Sequence, residues 1–204
     1  MATYTINFVN NSNSGGNFCV FQQNHNSPNP GVFSLAWLSQ FANPHSKLPI
    51  SWNTDSYFFW AKTGALAPGV IFNAGEALQA GMTENNEVTL TKRDGNYKFT
   101  GLQTWFQQGT LRVTSDANTA INQASVGIGM SGSGTFAVQA QPNMTFHFSP
   151  AVDYWVTFGD FKQGQVLNPS DLGRAVKIDF PHGIFSMNAT LNPDNTWTIT
   201  PGLD

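Results

Sequence analysis

The sequence predicts an all-β protein: a β-sandwich built from two pseudo-repeated halves packed together, with one short helix in the first half. Three observations carry that reading. Short runs rich in Val, Ile, Thr, Phe, Tyr and Trp alternate apolar with polar residues and are bounded by Gly, Pro, Asn, Asp and Ser clusters, the pattern of half-buried strands between turns. Pro142, Pro150, Pro169, Pro181, Pro193 and Pro201 fall at the boundaries of those runs, where a residue without an amide hydrogen does not interrupt a ladder. The third observation is a repetition.

A shift of ninety-five positions, without a gap, puts Phe59 on Tyr154, Trp60 on Trp155, Gly64 on Gly159, Gly69 on Gly164 and Asn73 on Asn168. Ser56-Tyr57-Phe58-Phe59-Trp60-Ala61-Lys62-Thr63-Gly64 thus returns as Ala151-Val152-Asp153-Tyr154-Trp155-Val156-Thr157-Phe158-Gly159. Both copies alternate as strands and stop at a glycine, which tolerates positive φ. Other pieces match at other offsets, as insertions into loops would leave them: residues 17–23 over 135–141, Val88-Thr89-Leu90 over Ala189-Thr190-Leu191, and residues 97–100 over 197–200. These matches divide the chain into a first β repeat, 1–108, and a second, 109–204, packed as one unit with Trp60 equivalent to Trp155.

In chain order, residues 3–23 read as a hairpin around Asn10-Asn11-Ser12-Asn13-Ser14-Gly15-Gly16. Phe33, Trp37, Leu38 and Phe41 follow i, i+4, i+5, i+8, which predicts the short helix, laid over a sheet edge. Strands follow at 49–53, 56–62, 69–73, 87–92 and 96–100, with Asp94-Gly95 as a type I′ hairpin turn. Residues 101–109 carry Trp105 and Phe106, too apolar for an unattached linker. The second half adds strands at 111–114, 143–148, 152–158, 165–167, 185–191 and 195–200, and a hairpin across 127–139.

Composition sets the energetics. With seventeen Phe, six Trp and four Tyr against nine basic and twelve acidic side chains, aromatic burial at about 1.5–3 kcal/mol per large side chain outweighs exposed ion pairs at about 0–1. A formal charge of −3, with scattered basic residues, argues against nucleic acid, which needs Lys and Arg clustered on one face. One cysteine, Cys19, rules out an intramolecular disulfide and reads as a small buried hydrophobe. The N-terminus alternates like a strand and lacks a signal peptide's h-region, and no apolar run reaches the ~20 residues of a membrane helix. These features predict a chain without a transmembrane segment, cytoplasmic or exported without a classical signal peptide.

Little in the sequence points to catalysis. Val126-Gly127-Ile128-Gly129-Met130-Ser131-Gly132 contains G-x-G-x-x-G, but a strand and not a helix follows, so a close backbone approach or a bulge is expected and no dinucleotide cofactor. His25, His45, His147 and His182 lack metal-ligand spacing, and no metal site is predicted. His147 and Asp153 are placed to meet across neighbouring strands, as an acid/base pair or as buried polarity. Asn10, Asn143 and Asn188 begin Asn-x-Ser/Thr motifs, two of them within predicted strands, which argues against glycosylation. Neutral amides and hydroxyls dominate the polar positions, and together with aromatic rings they suit a neutral glycan or contact with another copy of the chain.

Residues 17–23, Phe33-Ser34-Leu35-Ala36-Trp37, 66–74, Asn86-Glu87-Val88-Thr89-Leu90-Thr91, 123–132 and Gln139-Ala140-Gln141-Pro142-Asn143 resemble the RhiA-type proteins of soil bacteria over nearly the whole chain. The resemblance implies bacterial origin, cell-density-regulated (quorum-regulated) expression and a role outside core metabolism, without an activity, a catalytic residue or a cofactor. The expectation is a non-catalytic sandwich that binds a neutral glycan or host surface. Self-assembly into homo-oligomers or inclusions, and membrane attack by a mobile loop, are the alternatives. Trp37, Trp105 and Phe106 lie outside the repeat pattern and are the candidate contact residues.

Overall fold

A computed structural model describes residues 3–23, 31–150 and 153–202. Their strands form four sheets stacked as two sandwiches. In the first sandwich, sheet 1 runs β17 (Trp197–Pro201), β16 (Ser186–Leu191), β1 (Tyr4–Asn10), β5 (Lys47–Trp52). It packs on sheet 2, ordered β15 (Val176–Ile178), β14 (Tyr154–Gly159), β2 (Gly16–Phe21), β4 (Leu38–Ala42). In the second, sheet 3 runs β3 (Phe33–Ser34), β12 (Ser133–Gln139), β11 (Ser125–Met130), β6 (Ser56–Ala61), β7 (Glu76–Ala80). Its partner, sheet 4, runs β13 (Thr145–Phe148), β10 (Leu111–Ser115), β8 (Glu87–Arg93), β9 (Asn96–Gln103).

The strand order of sheet 1 matches that of sheet 4, including one parallel pair in each, β1 with β16 and β10 with β8. Every sheet draws strands from both sides of residue 108. The expected boundary at 108/109 is therefore not where the fold divides: β6 to β13 form most of one sandwich in one continuous run, and the two ends of the chain close the other. The physical reason is that each sheet is completed by pairings that cross residue 108, β1 with β16, β2 with β14, β6 with β11 and β8 with β10.

Alternation explains the two cores. Ile6, Phe8, Phe18, Val20, Trp52, Tyr154, Val156 and Ala189 fill the first sandwich. Phe58, Trp60, Val88, Leu90, Leu111, Val113, Val126 and Phe136 fill the second. Trp60 therefore points into its sandwich, its indole N–H bonded to Glu76 Oε2 at 2.7 Å. Trp155 points away, into a separate cluster with Cys19, Phe21 and Leu172. Its strand occupies the same place in sheet 2 as β6 does in sheet 3, but the ninety-five-residue register pairs residues on opposite faces. A strand's faces alternate with period two, so an odd slip exchanges inside for outside. The match of Val88 and Leu90 to Ala189 and Leu191 preserves the inward face, whereas residues 17–23 and 135–141 belong to strands in different sheet positions. Of the repeated segment 151–159, Ala151 and Val152 lie outside the described residues, as does His25.

The predicted helix over 33–41 is instead two strands, β3 in sheet 3 and β4 in sheet 2, so this segment stitches the sandwiches together. Backbone bonds along the crossing, Leu35 N–H to Thr135 O at 2.9 Å and Ala36 N–H to Gln165 O at 2.8 Å, hold it extended. Trp37 is fully buried, against Trp52 and Tyr154, and its indole N–H donates to Met130 O at 3.0 Å. It is core and cannot be a contact residue. The residues that mimic a helical spacing share no face: Phe33 packs in the layer under sheet 3, Trp37 and Leu38 in the first core, and Phe41 is exposed. The helix that does form, α1 (Pro169–Leu172), is one turn in the second half, closed by an Asn168/Asp171 capping box.

The glycines of the G-x-G-x-x-G stretch serve the β11–β12 hairpin. A Cβ at Gly127 would stand 2.2 Å from Phe136 O, and one at Gly129 would stand 1.9 Å from Ser133 O. Ser131 and Gly132, both at positive φ, make the turn, as Asp94 and Gly95 do between β8 and β9. Because Trp37 is fully buried in the first core and bonded to β11, Trp37→Ala is expected to lower stability by about 3–5 kcal/mol in denaturant unfolding. A loss under about 1 kcal/mol would contradict its placement in the core.

Candidate ligand-binding face

The inner face of sheet 4 belongs to the core, while its outer face carries only polar side chains over most of its width. Register places one row across all four strands: His147 opposite Arg112, Arg112 opposite Glu87, Glu87 opposite Gln103. Gln103 reaches this row through a bulge. Gly101 at φ 64 adds a residue to β9 where the pairing shifts between Glu87 and Thr89, and the extra residue turns Gln103 onto the outer face. Gln103 Nε2 then donates to Glu87 Oε2 at 3.0 Å, while Arg112 pairs with Glu87 Oε1.

Trp105 lies on this row. The Arg112 guanidinium sits 5.2 Å from its ring centre and the His147 ring 4.9 Å away. The connection that carries Trp105 is tied down by Asn86, fully buried, whose Oδ1 accepts from Trp105 N–H at 2.7 Å and whose Nδ2 donates to Gln107 O at 3.0 Å and Thr110 O at 3.1 Å. Phe106 packs on Trp105 with ring centres 4.9 Å apart and is nevertheless 87 % exposed. The result is an aromatic pair held on a hydrogen-bonded row in which the charges of Arg112 and Glu87 cancel. Such an arrangement offers a ring to an apolar face and amide, guanidinium and carboxylate groups to hydroxyls.

Of the three expected contact residues, the structure brings Trp105 and Phe106 together and removes Trp37. Sequence reading misses Glu87, Arg112, Gln103 and Asn86, and only charged residues at outward positions of strands hint at the first two. His147 and Asp153 fall apart: His147 lies against Trp105, and Asp153 pairs with Lys177 at 3.1 Å. Burial pushes the Cys19 thiol far above its usual range, with Asp171 adding to the effect, so it is not a nucleophile at neutral pH. Among the described residues, no three His, Cys, Asp or Glu side chains form a metal cluster, and no helix is long and apolar enough to cross a membrane.

Comparison with known proteins settles the family. The RhiA family profile matches residues 1–202. The chain belongs to the RhiA family. It is 32 % identical over 209 residues to Protein RhiA of Rhizobium leguminosarum bv. viciae, covering 97 % of this chain and 86 % of that one. No solved structure matches it. The RhiA relationship supports bacterial kinship and leaves the work of this face to be argued from its geometry.

Partial burial first, and then the Arg112 charge, hold the His147 imidazole below its ordinary 6.5, against an opposing pull from Glu87. The folded protein thus disfavours the charged form. The stability this contributes is present above about pH 6.5 and lost as pH falls through the folded value. The melting temperature of the native chain is expected to fall more steeply than that of His147→Gln as pH is lowered from about 7 to 5. Parallel curves would show that His147 is not held in this environment.

Proposed function

We propose that this protein is a non-catalytic binding module whose ligand is a neutral glycan, taken by the outer face of sheet 4. The observation that carries the proposal is Phe106. Its ring remains in water although the loop bearing it is anchored through Asn86, so its exposure is a fixed feature of the surface. A sugar ring stacked on Phe106 would cover apolar area that folding leaves bare. Arg112 lies beside the Trp105 ring and, with Glu87 and Gln103, supplies polar groups for the sugar's hydroxyls. Low net charge and a surface of amides and hydroxyls favour an uncharged partner over nucleic acid.

Duplication of one ancestral unit, followed by exchange of strands between the copies, accounts for the matching order of sheets 1 and 4 and for the two parallel pairs.

Phe106→Ala is expected to weaken glycan binding by about tenfold or more with the melting temperature unchanged, as read by a glycan array followed by calorimetry. Unchanged binding would overturn the proposal. Loss of oligomers in place of glycan binding, seen by light scattering, would assign the ring to contact between copies of the chain.

A further inference from the structure

Beside the His147 row lies a second row on the same face: Thr145 opposite Thr114, Thr114 opposite Thr89, Thr89 opposite Thr100. One threonine stands on each of four adjacent strands, and all four are at least partly exposed. The pitch between strands is about 4.8 Å, close to the advance per ring of an extended β-linked pyranose chain. The row therefore offers one threonine per strand over roughly 14 Å, three strand spacings, with the two central hydroxyls drawn together. Trp105 and Phe106 flank its β13–β10 end, since Trp105 rests on Arg112 and His147.

The hydrogen bonds set the polarity of the row. Thr100 Oγ1 donates to Thr89 O at 3.4 Å and Thr114 Oγ1 to Val88 O at 3.4 Å. The hydroxyls of Thr89 and Thr114 are 2.7 Å apart. Either hydroxyl can be the donor of that bond. The bond between Thr89 and Thr114 uses one of their two hydrogens, and each oxygen of the row retains acceptor capacity, because a hydroxyl has one hydrogen and two lone pairs. The row offers hydroxyls to the hydroxyls of a sugar and contains no cation to pair a carboxylate, sulfate or phosphate.

Resting on the reading that this face binds a neutral glycan, we propose that the threonine row is the floor of a site for an extended, uncharged, β-linked oligosaccharide. The chain lies across the four strands, one ring to a strand, with its ring at the β13 end against the aromatic pair. This adds a length and linkage preference that Phe106 alone would not confer.

The test is calorimetric titration of the intact protein with β-1,4-linked glucose oligomers of one to six rings, with α-1,4-linked tetramers, and with β-linked uronic acid oligomers. Affinity is expected to rise by about tenfold or more from two rings to four and to level off beyond four. The α-linked and anionic chains should bind no better than the disaccharide. The paired substitution Thr89→Val with Thr114→Val should abolish the gain from chain length and leave disaccharide affinity in place, whereas Thr89→Ser with Thr114→Ser should keep the gain and so controls for folding. Equal affinity for two and four rings, or for α- and β-linked tetramers, would overturn the row proposal. If Phe106→Ala still abolished that binding, the aromatic site would stand without the row. No binding by any β-linked chain would overturn this proposal, and an array on which Phe106→Ala removed no glycan signal would end the broader reading with it.

Discussion

Two parallel strand pairings hold this molecule together, β1 with β16 and β10 with β8. The first joins Thr5 to Ser186 and Asn10 to Leu191, so the chain cannot complete its first sandwich until both ends have met. Parallel strands cannot be joined by a tight turn. The intervening chain must leave the sheet and return, and here it does so by building the second sandwich. The same constraint explains why a cut at residue 108 would divide all four sheets. It also isolates the candidate face: the residues that form it, from Asn86 to His147, come from the continuous inner run, and closure of the chain ends leaves them untouched.

The layers between the sandwiches follow from the aromatic content. Outward faces of sheets 2 and 3 carry Phe21 and Trp155, and Phe59 and Ala61, which would lie bare on a simple sandwich. The segments 33–36 and 161–167 cover them with Leu35, Ala36, Phe161, Val166 and Leu167. Backbone bonds between these segments, such as Gly164 N–H to Ala36 O at 2.8 Å and Leu167 N–H to Ser34 O at 3.0 Å, satisfy the peptide groups buried with them. Against that background an aromatic ring left in water has a different meaning. Most of the protein's large rings find cover, and Phe106 sits on a loop that is pinned and still finds none.

Alternation makes the strands legible in the sequence, because side-chain period two survives whatever the topology. The class of fold, the turn at Asp94-Gly95 and the hairpin across 127–139 can all be read that way. Register cannot, since residues 59–60 and 154–155 are aromatic on both faces and a match by residue type does not say which ring points inward. Residues 33–41 imitate a helix because Phe33, Trp37, Leu38 and Phe41, which meet different surroundings along an extended crossing, happen to be spaced close to period 3.6. Trp37 shares with Trp105 only its position outside the repeat. The row formed by His147, Arg112, Glu87 and Gln103 depends on pairing between residues as distant in the chain as Arg112 and His147, and on the bulge at Gly101, neither of which a local pattern reveals. Phe106 and Trp105 are visible in the sequence because a connection that carries two large rings must either bury them or use them.

The claim that binds this account together is that one face, the outside of sheet 4, meets the ligand. Methyl-labelled threonine together with indole-labelled tryptophan allows it to be watched directly by NMR while a neutral β-linked tetrasaccharide is added. The account predicts that the signals of Thr89, Thr100, Thr114, Thr145 and Trp105 shift together and saturate together, with Thr5, Thr190, Thr198 and Thr200 of sheet 1 unmoved. Shifts confined to the sheet 1 threonines, or a spectrum that does not change, would contradict it.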